Sequence, residues 1–402
     1  MSDSYSQKQK NIPDFVGEKI SPLILKQLKN IPLSIKLPSN QIINHKQNHP
    51  TINIEKWSAF LDILLGYDLG LAKSFIQSKW NSDDLTQVFK SFIQDNNPSE
   101  KNSVFNYAPQ KLFARIEHKI KSFNIKSNAR KNIKSHYDLN NELFKLFLDD
   151  SMTYSSGYFN DPNLNLEDAQ YSKIDNLFNQ SGLKNNDHIL DIGCGWGSLI
   201  IRAAKKFNCT GIAVTLSKNQ YEFTKSKINQ MELNNQIDVV LEDYRNIEGK
   251  FDKIFSVEML EAVGHSGLKD FFQQSNMLLK QNGSLALQVI TVPDDRYESY
   301  RKNCDFIQKY IFPGGLLLSH KHILDTMNAN SGLEEKSYIS IGEHYVKTLQ
   351  LWRQNFQNNF DQINKMGFEE NFIRKFLYYF SYCEAAFETK HIDNLQIFIK
   401  KK

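Results

Sequence analysis

Asp191, Thr215, Asp243 and Glu261 each stand where a short apolar run ends, and these are the residues whose types and spacing best fit chemistry. In open sheets of parallel strands, ligands sit beyond the carboxyl ends of the strands. One such residue alone is as readily a helix cap or a surface charge. Together at one sheet edge they make a candidate site. Asp191 opens the loop Asp191-Ile-Gly-Cys-Gly-Trp-Gly197, whose alternate glycines allow a sharp turn and close approach to a ligand. A helix over 198–207 would aim its free N–H groups at that ligand, which makes the site nucleotide-like. Ser198 stands where the dinucleotide fingerprint has its third glycine, so the spacing points away from NAD and towards S-adenosylmethionine.

Elements that position these residues are legible from periodicity. Apolar runs at 188–192, 209–216, 237–243, 251–259 and 284–290 read as strands, with helices at 198–207, 218–234 and 268–280 between them. The alternation predicts an α/β fold with a doubly wound, Rossmann-like parallel sheet. His265-Ser-Gly267 reads as a cap before the third helix. Residues 291–337 interrupt the usual order with more apolar surface than a connection needs. They read either as a core-packing insertion or as a cover over an apolar ligand. The aromatic residues from Phe372 to Phe387 make one face of a helix, mostly core.

The chain divides further. Residues 1–11 are polar and read as a disordered tail, and 12–97 read as a small, mainly helical accessory domain. Asp83 and Asp84 read as the N-terminal cap of a helix at 85–94. Residues 98–135 form a linker, and within them 101–135 hold nine Lys or Arg against the single acid Glu117. That patch reads equally as a solvated helix or as a surface for anionic lipid headgroups. The catalytic domain is expected over 136–402. A net charge of +4 over 402 residues gives no reason to invoke nucleic acid. No apolar run is long enough to span a bilayer and the N-terminus lacks a signal-peptide core, so the expected location is the cytosol. Cys194, Cys209, Cys304 and Cys383 show no metal-ligand spacing, so no metal site is expected and reduced thiols are the simplest reading.

Six stretches together resemble the cyclopropane-fatty-acyl-phospholipid synthases. They are His136-Tyr-Asp-Leu-Asn-Asn141, Phe147-Leu-Asp-Asp-Ser-Met-Thr-Tyr-Ser155, the glycine loop, Val214-Thr-Leu-Ser-Lys-Asn-Gln220, Val257-Glu-Met-Leu-Glu-Ala-Val-Gly264 and Tyr310-Ile-Phe-Pro-Gly-Gly315. The resemblance implies a class I methyltransferase fold. It implies S-adenosylmethionine as donor and, as partner, an unsaturated phospholipid acyl chain met at the inner face of the membrane. It leaves room for a homodimer. It places Tyr154, Ser155, Asp191, Gly193, Cys194, Gly195, Thr215, Leu216, Gln220 and Asp243-Tyr244-Arg245 around the cofactor. It assigns Tyr137 to stabilise a carbocation and aligns Cys383 with a cysteine once proposed as a nucleophile, although neither transfer nor ring closure needs a covalent intermediate. It also implies a bound bicarbonate as base, held by Ser156, Glu261, Gln288, the Ile290 backbone and Tyr345.

Two positions depart from the family pattern. Ser156 stands where many members have cysteine, and Gln288 where many have histidine. Glutamine donates hydrogen bonds but does not titrate, which excludes any mechanism that needs a charged imidazole there. The expected function is cyclopropanation of a cis double bond. The alternatives are methyl transfer that leaves a methyl- or methylene-branched chain, a lipid-binding relative without catalysis, and, against the glycine spacing, an NAD-dependent oxidoreductase.

Overall fold

A computed structural model describes residues 11–46, 48–94 and 140–402. The tail before Asn11, the basic 101–135 stretch and Tyr137 lie outside the described residues. Two compact units are formed.

The first unit takes the described residues before 95 together with Gly367–Ala385. It holds α1 (Ile12–Gln27), β1 (Ser34–Lys36), β2 (Ile42–Ile43), β3 (Thr51–Ile54), α2 (Ser58–Gly66), α3 (Asp68–Ile76), β4 (Trp80–Asn81) and α4 (Leu85–Gln94). The four short strands, in the order β2-β1-β3-β4, were hidden from helical periodicity because each is only two to four residues long. Asp84 does cap α4, its carboxylate accepting from the Gln87 N–H at 3.0 Å. The later segment Gly367–Ala385 had been expected in the catalytic domain. It is drawn to this unit by aromatic contact and hydrogen bonding: Tyr378 packs on Phe75 and Phe89 with ring centroids 5.6 and 4.7 Å apart, and Arg374 donates to the Phe75 and Trp80 carbonyls at 2.6 and 2.8 Å.

The second unit begins with α5 (Asn141–Lys145) and α6 (Leu166–Ser181) and continues with β5 (His188–Ile192), α7 (Ser198–Phe207), β6 (Thr210–Thr215), α8 (Lys218–Gln230), β7 (Ile237–Leu241) and β8 (Phe251–Val257). Then come α9 (Leu260–Leu278), β9 (Leu279–Thr291), α10 (Asp294–Tyr300), α11 (His320–Asn330), β10 (Leu333–Ser340), α12 (Gly342–Asn358) and α13 (Phe360–Lys365). The helix α14 (Glu370–Glu388) lies mostly in the first unit, and β11 (Asp393–Lys401) returns to the second. The sheet order is β10-β11-β9-β8-β5-β6-β7. Strands β5 to β9 pair in parallel, as the α/β alternation predicts, while β11 lies antiparallel between β9 and β10. The sheet is therefore mixed, and β10 and β11 correct the all-parallel expectation. Ile189, Leu190 and Ile192 of β5 are at most 1% exposed, so the central strand is buried on both faces and its carboxyl end is firmly placed.

Candidate active site

The strand β5 delivers Asp191 to the carboxyl edge and then breaks into the glycine loop. Gly193 and Gly195 have φ of 77° and 56°, backbone that favours glycine. At Gly193 a Cβ would also lie 2.8 Å from Met259 Cγ, so this position is closed to any side chain. One cavity opens beyond the loop. Its lining includes all twelve residues expected around the cofactor: Tyr154, Ser155, Asp191, Gly193, Cys194, Gly195, Thr215, Leu216, Gln220, Asp243, Tyr244 and Arg245.

Polar atoms in this cavity are unequally satisfied. Thr215 donates to Gln220 Oε1 at 2.8 Å, and Arg245 forks onto Asp243 at 2.8 and 2.6 Å. Asp191 Oδ2 and Tyr244 Oη, by contrast, are buried with no partner among the described residues. Burial pushes Asp191 up to about 7, and the Lys173 charge pulls the other way. Lys173 reaches in from α6, is 1% exposed, donates to Ser155 Oγ at 2.6 Å and is itself pushed down to about 8 by burial. Two orphaned polar groups beside a glycine-rich loop fit a ligand with hydroxyl and cationic groups, which an adenosyl sulfonium with an amino acid tail provides. Burial raises the Cys194 thiol well above its ordinary value, so it is an inert wall.

Next to the cavity is a second cluster centred on Glu258, which also lines it. Glu258 Oε1 accepts from the Ser156 N–H at 3.0 Å, Gln288 Nε2 at 2.8 Å and Asn394 Nδ2 at 2.6 Å, and Oε2 accepts from Tyr345 Oη at 2.8 Å. Ser156 thus contributes its backbone, its hydroxyl being spent on the Gly157 carbonyl at 2.9 Å. Gln288 is fixed in turn, because its Oε1 accepts from Gln396 at 3.0 Å and Gln396 Oε1 accepts from Asn176 at 2.6 Å. Glu261 stands apart from this cage. Its Oε1 accepts from the Ile290 N–H at 2.6 Å, and its Oε2 is buried without a partner among the described residues. Desolvation, then the Glu258 charge, push Glu261 up to about 8, so it carries a proton at neutral pH.

That shift has a sign that can be measured. An acid raised from 4.5 to about 8 in the folded protein holds its proton where the unfolded chain has lost it, so stability falls as pH climbs through that window. Glu261→Gln should therefore stabilise the protein by about 2–4 kcal/mol near pH 9 and by almost nothing near pH 4. Urea midpoints at both pH values check this, and an equal effect at both would refute the assignment.

The expected bicarbonate fails a geometric test. The Ser156 N–H, Gln288 and Tyr345 already point at the Glu258 carboxylate, and the Ile290 N–H is taken by Glu261. Of the expected group, Ser156, Gln288 and Tyr345 meet around the Glu258 side chain, whereas Glu261 and the Ile290 N–H bond to each other.

The family model described as mycolic acid cyclopropane synthetase matches residues 124–397. The chain belongs to this family. It is 36% identical over 335 residues to a tuberculostearic acid methyltransferase of Mycobacterium tuberculosis, covering 82% of this chain and 78% of that one. It is 30% identical over 349 residues to the cyclopropane-fatty-acyl-phospholipid synthase of Escherichia coli, covering 86% of each. Among solved structures, a mycolic acid cyclopropane synthase complexed with SAH and CTAB superposes with a TM-score of 0.64 at 32% identity, over 68% of this chain and 98% of that one. The second unit is accordingly a class I methyltransferase fold, and the resemblance drawn from the six sequence stretches agrees with the family found.

In this cyclopropane synthetase family member, two sequence expectations change and one open alternative is narrowed. Cys383 lies in the Gly367–Ala385 stretch that folds with the first unit, whereas the residues lining the cavity come from the second. His265 is no cap: it sits inside α9, just after a kink at Gly264, with its Nδ1 2.8 Å from Tyr297 Oη and its ring stacked on His322 at 4.4 Å. The 291–337 insertion does reach the site, since the Leu316 N–H donates to the Glu261 carbonyl at 2.8 Å and the Phe312 ring lies 6.3 Å from that of Tyr154. Glu258, Lys173, Asn394 and Gln396 were not anticipated. The one sequence signal for them was the second acid in Val257-Glu-Met-Leu-Glu261.

Proposed function

We propose that this protein transfers a one-carbon unit from S-adenosylmethionine to a cis double bond in an unsaturated phospholipid acyl chain and closes it to a cyclopropane. The observation that carries this reading is the shared Glu258 edge, where a cavity built for a nucleoside-like ligand meets a carboxylate held by four donors. S-adenosylmethionine supplies an electrophilic methyl. Asp191 and Tyr244 hold its polar groups, and the bare loop at Gly193 and Gly195 gives it room.

An alkene that has gained a methyl carries a positive charge on the neighbouring carbon. Aromatic faces stabilise such a cation without attacking it. Tyr154 lines the cavity and is backed by Phe144, Phe147 and Trp352 at ring distances of 5.3, 5.9 and 5.1 Å. Tyr137 is assigned the same role from the sequence, and the basic 101–135 stretch is assigned to anionic headgroups. Among the described residues no helix is long and apolar enough to cross a membrane, so contact with lipid would be made from the surface.

A second reading is favoured by the relative at 36% identity, whose name describes a tuberculostearic acid methyltransferase. In it the same cation is resolved to a methyl- or methylene-branched chain. The test is incubation of the purified protein with trideuteromethyl S-adenosylmethionine and vesicles of monounsaturated phospholipid, followed by NMR of the extracted chains. Proton and deuteron NMR should show upfield ring methine protons beside a CD2 group. A =CD2 exomethylene, or a branch retaining all three deuterons, would replace ring closure by branching. Cofactor binding without any label in lipid would leave a lipid-binding protein.

A further inference from the structure

We propose that the Glu258 carboxylate is this protein's own base, standing where a bound bicarbonate was expected and accepting the proton whose loss closes the ring. The inference rests on the function proposed above and names the group that performs its last step.

The cage is complete without a second anion. Ser156, Gln288 and Tyr345 were expected to hold bicarbonate, and all three bond to Glu258 instead, joined by Asn394 from β11. A carboxylate oxygen has limited acceptor capacity. Oε1 takes three donors and is filled, while among the described residues Oε2 takes Tyr345 alone and keeps room for a proton. Bicarbonate beside this group would add a like charge after each of the expected donors is already spent, the Ile290 N–H on Glu261 and the others on Glu258.

The backbone shows the same specialisation. Glu258 has φ of 50°, a left-handed conformation that L side chains rarely adopt, and it follows directly on the end of β8. A 2.7 Å hydrogen bond from its N–H to the Gln288 carbonyl holds it there. Such strain persists where the surroundings over-determine it, and functional sites are where it collects. The departure at Gln288 is then explained. Its amide, oriented by Gln396, presents a donor to the Glu258 carboxylate at any pH, which a titrating imidazole would not.

In the step itself, a C–H bond of the newly transferred methyl breaks, its proton goes to Glu258 Oε2, and its electron pair forms the third ring bond to the cationic carbon. Glu258 returns the proton to water after product leaves.

The test uses the full-length protein with S-adenosylmethionine and monounsaturated phospholipid vesicles in buffer freed of carbon dioxide. Turnover should change less than about twofold when millimolar bicarbonate is restored, whereas Glu258→Gln should lose about 10²–10⁴-fold in turnover with cofactor affinity nearly unchanged. Glu258→Gly empties the cage, and added bicarbonate or formate should restore its activity in a saturable way. A parent enzyme that loses most activity without bicarbonate, or a Glu258→Gln variant that keeps a third or more of its turnover, would overturn the inference while leaving the proposed function standing. A parent that binds cofactor but labels no lipid would overturn both.

Discussion

Lys173→Met should remove about 3–5 kcal/mol of stability and weaken cofactor binding, although methionine nearly matches lysine in length. Lys173 is 1% exposed, and Glu258, Asp149 and Asp191 act on it electrostatically. Removing a buried cation leaves its acids uncompensated, which costs far more than the pair is worth when intact. Asp191 is already pushed up to about 7 with Lys173 holding it down, so the variant should carry a protonated Asp191 at neutral pH. The Ser155 hydroxyl also loses the donor 2.6 Å away that fixes it at the cavity wall. Urea denaturation and calorimetric titration with S-adenosylmethionine measure the two effects. A stability change within about 0.5 kcal/mol would show that Lys173 is not the cation holding this cluster.

Gly211→Ala should fail at the level of the fold. Gly211 pairs with Ile189 across β5 and β6, and a Cβ there would overlap the Ile189 carbonyl oxygen and lie 2.8 Å from its Cγ1. Backbone cannot yield as a flexible side chain can. The two strands would have to part immediately before Asp191, and the loss should exceed about 4 kcal/mol, beyond what most single core changes cost. Soluble yield and the thermal midpoint report it; a midpoint within a few degrees of the parent would mean that the strands separate more cheaply than their packing indicates.

The glycine loop and its flanking elements were legible because they are local. The residues 188–192 and 198–207 appear as strand and helix with those bounds, since an apolar run, a glycine triplet and an amphipathic stretch follow one another without ambiguity. β11 was not legible. Its neighbours β9 and β10 lie far away in sequence, and antiparallel insertion between them is a tertiary fact that no short window contains. The same holds for Asn394 and Gln396, which reach the cage only because β11 pairs with β9 in a register that sets Gln396 opposite Gln288. Glu258 was in view within Val257-Glu-Met-Leu-Glu261, and the resemblance gave the anion site to Glu261. Spacing cannot say which of two buried acids the donors will surround. In the structure they surround Glu258, which sits at a left-handed turn.

The place of β11 also orders events during synthesis. A ribosome releases β9 long before β11, with residues 292–392 in between, and until then β9 is an open edge beside β8. Open edges recruit other strands, so this interval is where a nascent chain most needs shielding. The arrival of β11 closes that edge and brings Asn394 to Glu258 in the same movement. Any chemistry that depends on the Glu258 cage should therefore begin only when the sheet is finished.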